Sequence, residues 1–563
     1  MRFRSFCSGE TMRLLQCSFL LACVLCASLF AQQPDTTKPA ETAKPREKKT
    51  RPESSQPAPE PKITEPTTPA PEPKPDTGKE SAADKEEHFD MTEVPPVVTH
   101  HQMTVAGKTL RYTATAGRLP IKRGDGRIEA EMFFVAYTLD GQEANQRPVT
   151  FCFNGGPGSA SVWLHMGSVG PKQVVLQPNG FMPAAPYRIT DNSNTLLDKS
   201  DLVFVDAIAT GFSRAANTEL QKKYLGVKGD IDAFGEFIRL YITRYDRWPS
   251  PLFILGESYG TTRAAGIAGY LADHGTSFNG ITLLSTAMDF GTLEWSKGND
   301  LPYVLLVPSF TMIAAYHKRL APDLMQDIAK TRTEVEHWAA NDYALALAKG
   351  DALSADERQK IIDAYARYTG LDRKLIDNAN LRIDVEQFTL NLLLDQKVRV
   401  GRLDGRFTGP DPEGVLTPHQ YDPTGSAIVP PYTAVFNNYL RTELGYKVDT
   451  PYKVFAWDEP AFQKWDWGEA VKGFPNTAPS LRAALAKNPY LKVLVMEGYF
   501  DLATPYAAAN YSIDHLNFGP DAQKRISFAS YEAGHMVYVD GASHAKMTRD
   551  LAEFMGKCLE TVK

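Results

Sequence analysis

Cysteine is scarce in the part of this chain that can form a core. Of six cysteines in 563 residues, Cys7, Cys17, Cys23 and Cys26 fall near the start, leaving Cys152 and Cys558. Two such residues make no disulfide framework, and no spacing in the chain suggests a metal site. Cys152 sits in an apolar run and is expected to be an inert core thiol. An excess of basic charge is also missing: 61 Lys and Arg stand against 67 Asp and Glu, a formal net charge of −6. That balance removes the electrostatic case for nucleic acid or an anionic membrane as partner. No internal repeat is visible.

What is present begins with a targeting pattern. Met1 to Arg13 is short and basic, Leu14 to Phe30 is apolar, and Leu29-Phe30-Ala31 offers a small-residue cleavage site before Gln32. Residues 1–31 therefore read as a signal peptide, and the mature protein is expected to be exported, periplasmic or extracellular, with no integral span. A membrane anchor is the competing reading, though about 17 apolar residues are marginal for a span. Leu20-Leu21-Ala22-Cys23 resembles a bacterial lipobox, so anchoring through Cys23 is a variant. Residues 32–93 hold twelve of the 39 prolines, all between Pro34 and Pro75. Such a stretch buries too little apolar surface to offset its ordering entropy, and reads as a spacer or a discarded pro-segment.

From about Val97 the pattern changes. Val98–Thr113 and Glu129–Leu139 predict antiparallel strands, with turns at Gly124-Asp125-Gly126 and Asp140-Gly141. Apolar runs at Val149–Phe153, Leu202–Val205, Leu252–Leu255, Ile281–Leu284 and Val493–Met496 read as buried parallel strands. Helical stretches at Asp230–Tyr245 and Thr261–Ala272 separate several of them, which predicts an α/β fold with a mostly parallel sheet covered on both faces. Residues 94–290 and 476–563 would form the two parts of this core. Between them, residues 291–475 lose the alternation. Helical patterns at Tyr303–Arg319, Leu324–Lys349 and Ala355–Gly370, then a Gly/Pro-rich stretch around 400–431, predict a mainly helical cap insertion.

The chemistry centres on Gly256-Glu257-Ser258-Tyr259-Gly260. Gly-x-Ser-x-Gly alone is common, but a strand before it and a helix after it give the context of a nucleophile elbow. A serine hydroxyl needs an oriented histidine to take its proton and a carboxylate to hold that histidine. Chain order serine, acid, histidine leaves His515, His535 and His544. His515 and His544 fall in helical stretches, whereas His535 sits in the loop Glu532-Ala533-Gly534-His535-Met536. The acid is expected at Asp501, just past the strand Leu491–Met496; Glu497 competes but lies closer to the strand interior, and Asp501 could instead cap a helix beginning near Pro505. Asn154-Gly155-Gly156-Pro157-Gly158 follows the strand Val149–Phe153 and suits an oxyanion loop. As a phosphate loop it fails, because no Gly-Lys-Ser/Thr follows.

These segments, with Val205-Asp206, Gly211-Phe212-Ser213 and Gly534-His535-Met536-Val537, together resemble the serine carboxypeptidases, over residues 97–560 and in that family's order. The resemblance implies an α/β-hydrolase fold with Ser258 as nucleophile, His535 as base and Asp501 as its orienter. It implies backbone oxyanion donors at Gly156 and Tyr259, and Asn154, Gly155 and Glu257 facing the free carboxylate of a peptide or protein C-terminus. Neither a metal nor an organic cofactor is implied. Glu257 makes sense there only if protonated, so that it donates a hydrogen bond rather than repelling the substrate.

Three positions depart from that family's pattern. Ser159 stands where a disulfide cysteine is common, Tyr538 where the histidine motif usually continues into proline, and Ser168 where a second glutamate is expected. The triad is untouched by these changes. An esterase or acyltransferase on the same fold, or a non-catalytic envelope binding domain, are the competing functional readings.

Overall fold

Apolar runs that are buried at every position dictate the centre of the molecule. The computed structural model describes residues 88–410, 421–456, 464–468 and 473–560. Among them, ten strands form one sheet. Nine lie along its path: β1 (Val97–Val105), β2 (Lys108–Lys122), β3 (Ile128–Leu139), β4 (Val149–Phe153), β5 (Asp201–Val205), β6 (Leu252–Glu257), β7 (Gly280–Leu284), β8 (Lys492–Gly498) and β9 (Ile526–Tyr531). Their order is β1-β2-β3-β5-β4-β6-β7-β8-β9, with the short strand Arg214–Ala215 paired to β3. The first three pairings are antiparallel, and every pairing from β5–β4 onward is parallel.

Every residue of β4, β5, β6 and β7 is buried, as strands covered on both faces require. Side chains alternate between two cores. Phe151, Phe153, Val203 and Ile254 point into one, packed by α1 (Val227–Arg244) and α2 (Tyr259–Asp273). Cys152, Phe204 and Leu255 point into the other, together with Tyr432 and Phe554 from two later helices. Burial pushes the Cys152 thiol far up, so this cysteine is a packing group. This is the α/β-hydrolase sheet expected from the sequence.

A third core belongs to helices α3 (Leu301–Tyr316), α4 (Ile328–Trp338), α5 (Ala355–Thr369) and α6 (Val385–Asn391). Phe310 and Phe388 stack there at 3.9 Å, and Phe500 and Leu502 from the loop after β8 join the cluster. The segment carrying Asp501 is thus flanked by two apolar anchors in this helical layer.

Three expectations need correction. The strand expected over Val98–Thr113 is a hairpin, because Ala106 and Gly107 take positive φ values of 48° and 78° and close a two-residue turn. The Gly/Pro-rich stretch around 400–431 ends inside α7 (Pro423–Thr442). Asp422 caps that helix by accepting the Thr424 N–H, Pro423 occupies the first turn where its missing donor costs nothing, and Pro430 and Pro431 lie within it. Burial of Ile428, Tyr432, Val435 and Phe436 outweighs the lost ladder bonds. Finally, the folded part starts before residue 94: Phe89 donates to the Ala216 carbonyl, and Glu93 pairs with Lys122 and Arg244 at 2.5 and 2.6 Å. The expected signal peptide, Cys23 and residues 32–87 lie outside the described residues. Among the described residues, no helix is long and apolar enough to cross a membrane.

Candidate active site

Ser258 occupies the single residue between β6 and α2, at φ 61° and ψ −131°. A side chain in this region is strained and persists only where its surroundings over-determine it. Here the Ser258 N–H donates to the Leu284 carbonyl at 2.9 Å, while the Ser258 carbonyl accepts from the Thr261 N–H and hydroxyl at 2.8 and 2.7 Å. The glycine loop after β4 lies directly on this turn. A Cβ at Gly155 would fall 2.3 Å from the backbone nitrogens of both Tyr259 and Gly260, and one at Gly256 would fall 2.4 Å from the Gly260 carbonyl oxygen. Only glycine permits backbone to meet backbone so closely. Arg263, fully buried on α2, clamps the two segments: it donates to the Asn154 carbonyl at 2.6 Å and pairs with buried Asp230 at 2.8 Å.

His535 and Asp501 meet on the neighbouring loops after β9 and β8. Asp501 Oδ2 accepts from His535 Nδ1 at 2.7 Å and from the Thr504 hydroxyl at 2.6 Å, while Oδ1 accepts the N–H groups of Ala503 and Thr504. The helix-cap reading does not hold, because Pro505 is the N-cap of the following helix and Asp501 reaches only the N–H groups of Ala503 and Thr504 before it: Asp501 braces its own turn with one oxygen and holds the histidine with the other. Burial disfavours the imidazolium of His535, but Asp501's charge and hydrogen bond outweigh that and hold it above its ordinary value.

Ser258 and His535 share an anchor at the end of β7. Leu284 holds the Ser258 N–H, and the next residue, Ser285, donates its hydroxyl to the His535 carbonyl at 2.7 Å. A strap from residues 402–406 ties the loops together: Leu403 accepts the His535 N–H, Asp404 accepts the Gly534 N–H, and Gly405 donates to the Phe500 carbonyl.

Glu257, one residue before Ser258, is 2 % exposed. Burial pushes its carboxyl up to about 7, opposed by His535, the Tyr538 phenol and the Asn154 amide. Tyr538 O–H donates to Glu257 Oε2 at 2.7 Å. The Asn154 side chain lies beside both Glu257 and Tyr538, and its Oδ1 accepts the Leu164 N–H. Burial thus favours the protonated form of Glu257, opposite in direction to the lower value that loss of a second glutamate at Ser168 would give.

The other candidates are engaged elsewhere. His544 Nε2 donates to the Ser168 carbonyl at 2.8 Å and its Nδ1 accepts from the Asn194 amide at 3.3 Å, and burial lowers it to about 4. His515 is exposed and caps α9 (Tyr506–Asp514), where, counting α8 as Ala478–Lys487, it bonds Tyr511. Glu497 is buried beside Ser530, and burial pushes it up to about 8. Gly156 is exposed and Tyr259 buried, on opposite sides of the contact between glycine loop and elbow. Sequence reasoning missed Thr504, Ser285, the 402–406 strap and the contact of Tyr538. Thr504 was readable as the third residue after Asp501, the spacing of a local Asx turn. The strap had no signal, because about 130 residues separate Asp404 from Gly534.

Among curated proteins, none matches this sequence. Among solved structures, the chain is similar to a carboxyl esterase from Bacillus coagulans at 12% identity and TM-score 0.33, over 79% of this chain and 99% of that one. It is similar to a soluble variant of monoglyceride lipase from Saccharomyces cerevisiae at 11% and 0.34, over 79% and 97%. A juvenile hormone epoxide hydrolase from the silkworm Bombyx mori gives 11% and 0.32, over 79% of each chain. Likenesses this distant say nothing of this chain's substrate. The sequence model of the serine carboxypeptidases, by contrast, matches residues 110–549, most of the chain, and the protein belongs to that family of hydrolases.

Proposed function

We propose that the protein is a serine carboxypeptidase that removes C-terminal residues from peptides through an acyl-enzyme. The observation that carries this reading is a serine at positive φ on a strand-to-helix turn together with a buried Asp501–His535 pair bonded at 2.7 Å. Ser258 Oγ attacks the scissile carbonyl as its proton passes to His535. The N–H groups of Gly156 and Tyr259 stabilise the oxyanion. His535 then returns the proton to the leaving amine, and the released product is the C-terminal amino acid. Water, deprotonated by His535, hydrolyses the acyl-Ser258 ester and restores the enzyme.

Asn154, Gly155 and protonated Glu257 receive the terminal carboxylate of the substrate. Residues 291–475 act as a cap over this end of the sheet, and residues 1–31 direct export before removal. A second reading, ester cleavage or acyl transfer to an alcohol, gains support from Ser168, which leaves Glu257 without the expected acidic partner. Release of amino acids from blocked dipeptides tests the main reading. Turnover surviving in Ser258→Ala would refute the nucleophile. Equal rates on C-terminally free and amidated peptides would favour the second reading, and failure of a fluorophosphonate to label Ser258 would favour a binding domain.

A further inference from the structure

Two departures from the family pattern, far apart in sequence, lie close together: the turn that holds Ser168 packs on Tyr538, and Tyr538 reaches the Glu257 carboxyl. Ser168 lies in the turn Leu164–Ser168, is completely buried, and its hydroxyl has no hydrogen-bond partner. Its carbonyl is held by Asn192 and His544, at 2.7 and 2.8 Å. Beside it, Gly167 packs against the ring of Tyr538: a Cβ there would fall 2.7 Å from the ring and 2.2 Å from the Tyr432 hydroxyl. The phenol of Tyr538 then reaches past this turn to Glu257 Oε2.

We propose that Tyr538 is a positioning residue for substrate recognition: its phenol, with Asn154, fixes the Glu257 carboxyl so that the remaining oxygen presents a proton to the terminal carboxylate of a peptide. The proposal rests on the carboxypeptidase reading given above. Its physical content lies in the difference between a phenol and a second carboxyl. Two carboxyls sharing a site titrate as a coupled pair, and each proton lost repels the other. A phenol donates one hydrogen bond and keeps its proton throughout the working range; Tyr538 is held well above its ordinary value, first by burial and then by Glu257.

The groups facing Glu257 are few. They are His535 and Tyr538 from the histidine loop, Asn154 from the glycine loop, Asp501 from the loop after β8, and Tyr432 from α7. Arg402 from the strap acts on His535. Among these, Tyr538 donates to the carboxyl at 2.7 Å. A donated hydrogen bond favours the ionised form, so removing it should let Glu257 keep its proton to higher pH.

The experiment is Tyr538→Phe, assayed across pH on a blocked dipeptide with a free C-terminus and on its amide. In the wild type, KM for the free acid is expected to rise with pH as a single-proton transition. In Tyr538→Phe the midpoint should move upward by about half to one pH unit, the scale of one lost hydrogen bond to a charged group. KM at acid pH should rise several-fold while kcat stays within about twofold, and KM for the amide should not respond. A midpoint that stays or moves down overturns the proposal, as does a fall in kcat with KM unmoved.

A second measurement does not depend on turnover. The infrared carbonyl band of a protonated carboxyl, identified by its loss in Glu257→Gln, should titrate at higher pH in Tyr538→Phe. An unshifted band overturns the tuning by Tyr538. A shifted band in an enzyme that treats free and amidated peptides alike supports the tuning and overturns the carboxypeptidase reading instead.

Discussion

The ends of β6 and β8 both deliver acidic side chains to the interior, Glu257 from one, Glu497 and Asp501 from the other, and all three are at most 3 % exposed. Their surroundings differ in the number of donors. Asp501 accepts from two backbone N–H groups, a hydroxyl and an imidazole. Glu257 accepts from the phenol of Tyr538, and Glu497 from the hydroxyl of Ser530 while its other oxygen has no partner. For the two glutamates burial dominates, raising them to about 7 and about 8. Burial without enough donors makes a neutral acid, whereas a ring of donors makes an acceptor that can orient a histidine. Two strand ends of one sheet thereby serve opposite needs.

The comparison breaks most easily at Asp501. Asp501→Asn should lower kcat by about four orders of magnitude, because an amide there no longer holds the imidazole in the tautomer that accepts the serine proton. Single-turnover acylation would measure the loss; a fall of less than tenfold would remove Asp501 from the triad.

Gly155→Ala comes next. Its Cβ would have no room against the nitrogens of Tyr259 and Gly260. The loop must then lift from the elbow, at a cost of about 3 kcal/mol in stability. Thermal unfolding would show it, together with slower labelling of Ser258 by a fluorophosphonate. An unchanged Tm would mean that the loop and the turn are not pressed together.

Glu257→Ala, which removes the donor altogether, should raise KM for free-acid peptides by about 10- to 100-fold at acid pH, the scale of a lost hydrogen bond to a charged group, with a smaller effect on kcat. In the wild type KM should climb above pH 7 as Glu257 ionises. Over the same range kcat should rise, because His535 must be neutral to act as base and its value is held above the ordinary one. Stability follows the same group. Between the ordinary carboxyl value of 4.5 and about 7, the folded chain holds a proton that the unfolded chain has released. Stability is therefore lost as pH rises through that window, by about 3 kcal/mol. Glu257→Gln should flatten this slope in denaturant titrations; an undiminished slope would place its cause elsewhere.

The smallest effect is expected at Glu497→Gln. At neutral pH Glu497 already carries a proton, and the amide copies its shape, so kcat should hold and stability should change by less than about 1 kcal/mol. A loss of activity matching that of Asp501→Asn would reverse the assignment of the two acids on β8.

Local chemistry explains why so much of the site was legible. The elbow needs glycines around a serine at positive φ, and the buried strands need uninterrupted apolar runs; both are demands on neighbouring residues, so both leave a pattern in sequence. Asp501 and His535 were readable because each follows a strand at the same edge of the sheet. The hairpin at Ala106-Gly107 was harder to see, since Ala106 is not a residue that announces a turn. Helix α7 was hidden for a related reason: Pro430 and Pro431 argue against a helix locally, and only the burial of its apolar face outweighs them.

By itself the sequence determined the α/β-hydrolase class, the turn that carries Ser258, the glycine loop and the strand-following places of Asp501 and His535, because each depends on spacing and backbone freedom within a few residues. Tertiary structure alone decided that a strap near Asp404 holds the histidine loop, and that Tyr538 donates to Glu257. Those choices depend on which strand ends lie side by side and which buried oxygens find donors, and such contacts join residues 130 and 281 positions apart.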